Sequence, residues 1–365
     1  MPLRLYAAIV QGEPVKIKSA IKHSGLNWAM DRMNWLEKAA KEASAEFTSI
    51  AGKHPSGNPV QKIFLAPEYF FSKERYANDR FFCHDIKRWI IGKLAGLSKT
   101  YKDVILIPGT ILWSKPAAQQ QSKPSADFKS KLSAIVAQQA VVATLSASSY
   151  IASKKGTQVN KEGWSHTTSA TDAYVTSPLT GGKVLDPKKA KDVALCHNTA
   201  YICLNGQVIK YHKTGNYEEV QQEKGKLIFH PGNIKGTFKV GGVRYGIEIC
   251  MDHAQGVLKD KVDIHLIVSS FVNFKASTAE LVLHSSTQLP GVYKTNTGPV
   301  KVETEPVRGD WKKVTLLKES DLTTCKVFAF DLSDIAATTE YQLTDSADVK
   351  HIYDDKALQE IAKRL

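Results

Sequence analysis

The sequence predicts an α/β protein in which helices cover a sheet. Three observations predict it. Apolar runs of strand length and longer stretches with helical spacing alternate as β, α, β, α, β up to residue 110. The rhythm resumes near residue 198, where two β-prone runs flank Asn205-Gly206, a dipeptide suited to a tight hairpin. A further β-prone run, Val243 to Ile249, is opened by Gly241-Gly242 and closed by Cys250.

The 365 residues suffice for one large core, and the composition, 42% hydrophobic and 23% charged, is that of a globular chain. We read residues 1–365 as a single domain interrupted by an insertion at 114–195. The net charge is +13. Its lysines are scattered, without a dense basic block interleaved with aromatics. The charge therefore reads as a soluble basic surface, with no clear nucleic-acid site. No apolar run reaches about eighteen residues, so no membrane span is expected. The N-terminus has no secretory pattern. The five cysteines are odd in number, widely spaced and without a CxxC pair, which fits a reducing compartment and gives no zinc signature. A cytoplasmic location is expected.

The elements follow in order. Leu3 to Val10 is a first strand, and 14–27 a loop. Ala29 to Ile50 places Met33, Leu36, Ala40, Ala43 and Phe47 at helical spacing. His54 to Pro59 is a turn cluster. Ile63 to Glu68 is a buried strand that delivers Pro67-Glu68 at its end. Phe81 to Leu97 reads as a second helix, and Val104 to Thr110 as a third strand bent at Pro108-Gly109. The insertion carries an Ala/Val/Ser-rich stretch, 132–151, that reads as a helix; the whole segment is a flap, a lid, an interaction surface or an embellishment. Asn198 to Leu204 and Val208 to Lys213 form the hairpin. Side chains alternate along a strand, so Lys213 shares a face with Ile209 and Tyr211. A polar loop with Glu218, Glu219 and Glu223 follows, then a turn at Phe229-His230-Pro231-Gly232. After Val243 to Ile249 come apolar strands at Val262 to Phe271 and Val327 to Leu332. The tail, 353–365, reads as a terminal helix.

Glu68, Lys213 and Cys250 therefore stand at three strand ends. A thiol needs a base to become a strong nucleophile. A carboxylate beside a lysine can supply one, and the ammonium can stabilise an oxyanion. The backbone N–H groups after a cysteine at a strand-to-turn bend suit the same purpose. The set is complete without a metal, no ligand cluster is visible, and no cofactor is expected. Turnover is expected to survive chelators. Cys83-His84 is a neighbouring pair on a predicted helix, where adjacent side chains diverge.

These residues lie in contexts that resemble the nitrilase (carbon–nitrogen hydrolase) superfamily. Phe64-Leu65-Ala66-Pro67-Glu68 resembles its strand ending in Pro-Glu. Asn198-Thr199-Ala200 through Tyr211-His212-Lys213 resembles its lysine hairpin. Gly246-Ile247-Glu248-Ile249-Cys250-Met251-Asp252 resembles its nucleophile strand, and Pro231-Gly232 its intervening turn. The resemblance covers roughly residues 3–113 and 196–272, with a weaker likeness at 315–332.

It implies a four-layer α-β-β-α sandwich, a homodimer or larger oligomer, and cleavage of an amide, carbamoyl or nitrile carbon–nitrogen bond through an acyl-enzyme. Glu68 is then the general base, Lys213 the oxyanion-side lysine and Cys250 the nucleophile, with the Met251 N–H completing the oxyanion hole. A second glutamate orients the lysine in many members; Glu223 is the first choice and Glu219 the second. Asp252 leans towards the amidase branch.

The chain departs from the family after Lys213, with Thr214-Gly215-Asn216, and after Asp252, with His253-Ala254-Gln255-Gly256. The substrate and the oligomer interface are therefore not carried over. Glu248 either pairs with a buried base or reaches the pocket, and His253 either touches a small-molecule amide or nitrile substrate or supports the site. Two alternatives use the same fold: a binding protein that has lost turnover and holds an anionic partner on its basic insertion, and an acyltransferase in which an amine replaces water.

Overall fold

The computed structural model describes residues 2–12, 25–73, 80–116, 174–176, 183–185, 194–215, 227–229, 232, 236–270, 272–274, 277–287, 292–295, 298–301, 307–309, 312–339 and 343–344. In chain order the first elements are β1 (Pro2–Ile9), α1 (Gly25–Lys53), β2 (Val60–Leu65), β3 (Phe82–Cys83), α2 (His84–Thr100), β4 (Val104–Ile107) and β5 (Thr110–Pro116). There follow β6 (Tyr174–Thr176), β7 (Lys183–Leu185), β8 (Ala194–Leu204), β9 (Gln207–His212), β10 (Leu227–Phe229), β11 (Thr237–Val240) and β12 (Val243–Ile249). A short helix α3 (Met251–Gln255) precedes β13 (Ile264–Ser269), β14 (Leu281–Ser286), β15 (Val292–Thr295) and β16 (Gly298–Lys301). The last strands are β17 (Val307–Gly309), β18 (Val314–Asp321), β19 (Lys326–Ala336) and β20 (Leu343–Thr344).

Two sheets are built from these strands. The larger runs β18-β19-β1-β2-β4-β8-β5-β3, with β9 and β10 also paired to β8; the smaller runs β17-β14-β13-β12-β11-β20. β1, β2 and β4 are parallel neighbours, as are β12, β13 and β14.

Period-two alternation decides which side chains meet. Leu3, Leu5, Ala7 and Ile9 of β1 and Ile63 and Leu65 of β2 share one core cluster with Tyr245, Ile247 and Ile249 of β12 and Ile264, Leu266 and Val268 of β13. The sheets therefore pack face to face. The other face of β1 and β2, carrying Tyr6, Ala8 and Phe64, is covered by Met33, Leu36 and Phe47 of α1 and Ile90, Ile91 and Leu94 of α2. On the outer face of the small sheet lie α3 and the segment behind it: a Cβ placed on Gly246 would sit 2.4 Å from Leu258 Cδ2. The α-β-β-α layering expected of a nitrilase-type sandwich is present, its second helical layer reduced, among the described residues, to α3. No described helix is long and apolar enough to cross a membrane.

Several boundaries differ from expectation. The helix expected at 81–97 is preceded by β3, because Phe82 is fully buried and its backbone pairs with Trp113; the helix itself runs from His84 to Thr100. The strand expected at 198–204 begins at Ala194. β14 was not foreseen, its polar Leu-His-Ser-Ser end masking a fully buried strand. Nor was β18, an edge strand whose side chains are mostly exposed and lack apolar alternation. The expected helices at 132–151 and 353–365, Glu219, Glu223, Pro231 and most of the 114–195 insertion lie outside the described residues.

Candidate active site

Glu68 opens a turn just after β2. That turn is gripped from two sides. The bend between β4 and β5 packs against it at Gly109, which has φ +76° and where a Cβ would lie 2.0 Å from the Pro67 carbonyl oxygen, so only glycine fits. From the other sheet, the Ser269 carbonyl accepts the Glu68 N–H at 3.2 Å. Tyr69, next in the chain, is held at φ 61° and donates its N–H to Thr110 Oγ1 at 3.0 Å.

Lys213 follows the last residue of β9. Its N–H donates to the Asn198 carbonyl at 2.9 Å, and its own carbonyl accepts the Gly232 N–H at 2.9 Å. Gly232 has to be small: a Cβ there would lie 2.2 Å from the His212 carbonyl oxygen.

Cys250 caps α3 with φ 48° and ψ −106°. A non-glycine residue in this region stores of order 1–3 kcal/mol of backbone strain and persists where its surroundings over-determine it. The bend breaks the alternation of β12. Cys250 joins Ile247 and Ile249 in the inter-sheet core, whereas Glu248 faces the outer side. The Cys250 residue is 6% exposed.

The three strand ends are tied together at the end of β13. Val268 accepts the Cys250 N–H at 2.9 Å, Ser269 accepts the Glu68 N–H, and the Ser270 N–H donates to Glu68 Oε2 at 2.9 Å. Lys213 Nζ donates to Glu68 Oε1 at 2.7 Å, and Asn198 Nδ2 donates to the same oxygen at 2.9 Å. Glu68 is 0% and Lys213 1% exposed, so this ion pair is fully desolvated.

Asp252 makes a second tie, between α3 and the residues around Lys213. It accepts the Tyr211 hydroxyl at 2.9 Å, the Thr214 hydroxyl at 2.7 Å and the Thr214 N–H at 3.2 Å. Burial pushes its carboxyl up to about 7, against the opposing charge of Lys213 and the bonds from Thr214 and Tyr211. Met251, partly buried against the inter-sheet core, is the first residue of α3. The N–H groups that open a helix have no intrahelical acceptor.

Glu248 and His253 are almost fully buried and meet each other: His253 Nδ1 lies 2.7 Å from Glu248 Oε2. His265 Nε2 lies 3.0 Å from the same oxygen, and the Leu258 N–H donates to Oε1 at 2.7 Å. Burial alone would raise the Glu248 carboxyl; the histidines and the Leu258 N–H outweigh it and hold it at about 2. Of the two alternatives for Glu248, pairing with a buried base is the arrangement found. The expectation that no ligand-type cluster exists is corrected here, because pairing of β12 with β13 brings His265 to Glu248 from seventeen positions along the chain.

The other cysteines sit apart. Cys83 is exposed at the start of α2, whereas Cys196, Cys203 and Cys325 are buried. Burial pushes the Cys196 thiol up to about 12 and the Cys325 thiol to about 11, and raises that of Cys203 as well. Sequence reasoning missed the contributions of Ser270, Thr214 and His265, and gave Asn198 no role. Ser270 acts through its backbone N–H, which its residue type cannot announce. Asn198 stood within a quoted motif, and its side-chain amide was the available signal.

No family model matches the chain, and no curated protein matches it. Among solved structures it is similar to a glutamine-dependent NAD+ synthetase from Acinetobacter baumannii, at 13% identity and a TM-score of 0.37, over 79% of this chain. The chain spans 39% of that synthetase's length. It is also similar to a carbon-nitrogen hydrolase from Helicobacter pylori G27, at 12% identity and a TM-score of 0.39, covering 90% of this chain and 89% of that one.

Proposed function

We propose that the protein is a cysteine-dependent hydrolase of non-peptide carbon–nitrogen bonds, of the amidase-like branch of the nitrilase superfamily. The observation that carries this reading is the desolvated Glu68–Lys213 pair, linked through residues 268–270 to the strained turn that holds Cys250.

The chemistry follows from the groups present. Glu68 takes the proton of the Cys250 thiol as sulfur attacks the carbonyl carbon of an amide or carbamoyl group. The negative charge that develops on oxygen is stabilised by the Lys213 ammonium and the Met251 N–H. Protonated Glu68 returns the proton to the departing nitrogen, and the carbon–nitrogen bond breaks to leave a thioester on Cys250. A water then gives its proton to Glu68 and attacks the thioester; the carbon–sulfur bond breaks, the acid is released, and Glu68 returns the proton to the Cys250 sulfur. Asn198 and the Ser270 N–H hold the carboxylate in one orientation throughout, and Asp252 holds α3 against the lysine strand.

The test is direct. The protein is incubated with a panel of amides, carbamoyl compounds, nitriles and acyl electrophiles, with Cys250→Ala as the blank. The expected result is a mass increase on Cys250 that Glu68→Gln abolishes, and an acid product from at least one substrate class. An adduct on another cysteine, or turnover equal in the blank, would overturn the reading. Running the same reaction with added amines distinguishes hydrolysis from acyl transfer by product.

A further inference from the structure

We infer that Glu248, His253 and His265 form a binding site for one divalent cation of the zinc class, on the outer face of the small sheet behind the nucleophile strand. The three residues come from three elements, β12, α3 and β13, and their donor atoms all lie within 4.8 Å of one another. All three are buried. Strand register explains the meeting. Gly246 pairs with His265 and Glu248 with Ile267, so His265 is the diagonal neighbour of Glu248 on one face.

Two ring nitrogens converge on one carboxylate oxygen, His253 Nδ1 at 2.7 Å and His265 Nε2 at 3.0 Å from Glu248 Oε2. His265 Nε2 is buried and makes no hydrogen bond, although its distance would allow one. Its direction is what fails. An N–H and a lone pair on a ring nitrogen point the same way, in the ring plane.

The surroundings are those of a metal centre. Ligating histidines ordinarily have their other ring nitrogen fixed by an outer partner, and His265 Nδ1 lies 3.0 Å from Ser277 Oγ. The free oxygen of the carboxylate is likewise fixed, by the Leu258 N–H at 2.7 Å. Two imidazoles and one carboxylate are a zinc donor set. Metal–ligand bonds of about 2.0–2.2 Å in a tetrahedron place neighbouring donors roughly 3.3 Å apart. The two histidine–carboxylate separations, 2.7 and 3.0 Å, need to open by roughly 0.3–0.6 Å, within the reach of small side-chain rotations, and the two ring nitrogens lie within 4.8 Å of each other. The fourth position is left for water.

The site's role is to clamp. His253 is a ligand, and its N–H donates to the Cys250 carbonyl at 2.9 Å. An ion held here pins α3 to β12 and β13 and fixes the turn that carries the thiol. No step of the proposed reaction passes through it, and the inference stands whether or not Cys250 turns over a substrate.

The experiment uses the full chain, stripped with a chelator and shown by circular dichroism to remain folded. It is titrated calorimetrically with zinc chloride, and its Tm is measured with and without zinc. Expected are about one zinc per chain and a raised Tm, with affinity falling at least about a hundredfold in His265→Ala and Glu248→Gln. Should those variants not fold, cobalt(II) bound to the wild-type chain reports the site by itself: an intense four-coordinate absorption supports it, and a weak six-coordinate spectrum overturns it. Absence of stoichiometric zinc binding by the folded wild type, or binding unchanged in a folded His265→Ala, overturns it too.

Discussion

The Glu68–Lys213 pair can be dissected with a double-mutant cycle. Glu68→Gln conserves volume but not hydrogen bonding. In the parent, Oε1 accepts from Lys213 and Asn198 while Oε2 accepts from the Ser270 N–H. An amide has one acceptor oxygen. Set towards Lys213 and Asn198, it turns its NH2 against the Ser270 N–H; flipped, it turns the NH2 against two donors. Either way a donor is left unpaired where Glu68 is 0% exposed, and the Lys213 ammonium loses its counter-charge. Removing one partner of a buried pair costs about 3–5 kcal/mol. Lys213→Met leaves Glu68 its other two donors and falls at the lower end, near 3 kcal/mol. The double variant removes both charges, and a buried pair is worth little net against apolar replacements. It is therefore expected to cost only about 2–3 kcal/mol, leaving a coupling of about 3–6 kcal/mol.

Guanidinium unfolding at neutral pH, with m-values checked for equality, reads the cycle. The chemistry is expected to part company with the stability: all three variants should lose the covalent adduct on Cys250, including the double variant that regains stability. If the two single losses sum to the double loss within about 0.5 kcal/mol, the pair is not coupled and the account of the site fails.

Cys250→Ala is expected to lower kcat by about a thousandfold or more. Cys250→Ser should not restore it, because a hydroxyl ionises far less readily than a thiol of pKa about 8.5; Cys83, Cys196, Cys203 and Cys325 changed singly to alanine should keep turnover, and native-level kcat in Cys250→Ala would refute the assignment. Gly232→Ala drives a Cβ to 2.2 Å from the His212 carbonyl, so it should lower both Tm and activity through Lys213, while Gly57→Ala, with nothing within 4 Å, should alter neither. Lys87 is lowered from 10.5 to about 7, by burial first and then by the charges of Lys210, Lys115 and Arg88. Below pH 7 it is protonated in both states; between 7 and 10.5 the unfolded chain holds the proton and the folded chain releases it, so stability rises with pH by up to about 1.4 kcal/mol per unit. Lys87→Met should flatten that rise and be more stable than the parent at pH 6, as denaturation midpoints across this range would show; identical slopes in the two proteins would refute it.

How much of this was legible in the sequence depends on how local each feature is. Short apolar or β-prone runs bounded by turn residues marked β1, β2 and β12 as strands, and each of these strands contributes to the inter-sheet core. The ends of those strands were legible too, since Pro67-Glu68, the Asn205-Gly206 hairpin and Gly241-Gly242 are local turn chemistry. β14 and β18 were not, for opposite reasons: one buries polar side chains that find partners, and the other lies at an edge and exposes most of its own. What connects the strand ends was also hidden. Ser269 and Ser270 bind Glu68 through their backbones, and a peptide group looks alike in every residue.

The conflicts between pattern and burial carry information in their own right. Glu248 and His265 are buried polar residues inside strands whose other members are mostly apolar, and a single chain position gives no way to know that the two meet. Register decides it: shifting β13 by one residue against β12 would send His265 to the inter-sheet core and leave the buried Glu248 carboxylate without it, opposite Leu266 or Val268. Such a slip would cost an unpaired buried charge, several kcal/mol. The polar cluster therefore fixes the alignment of the two strands whose ends hold Cys250 and the Glu68-binding Ser270. The same pairing that assembles a cation site behind the sheet sets the spacing of the thiol and the carboxylate in front of it.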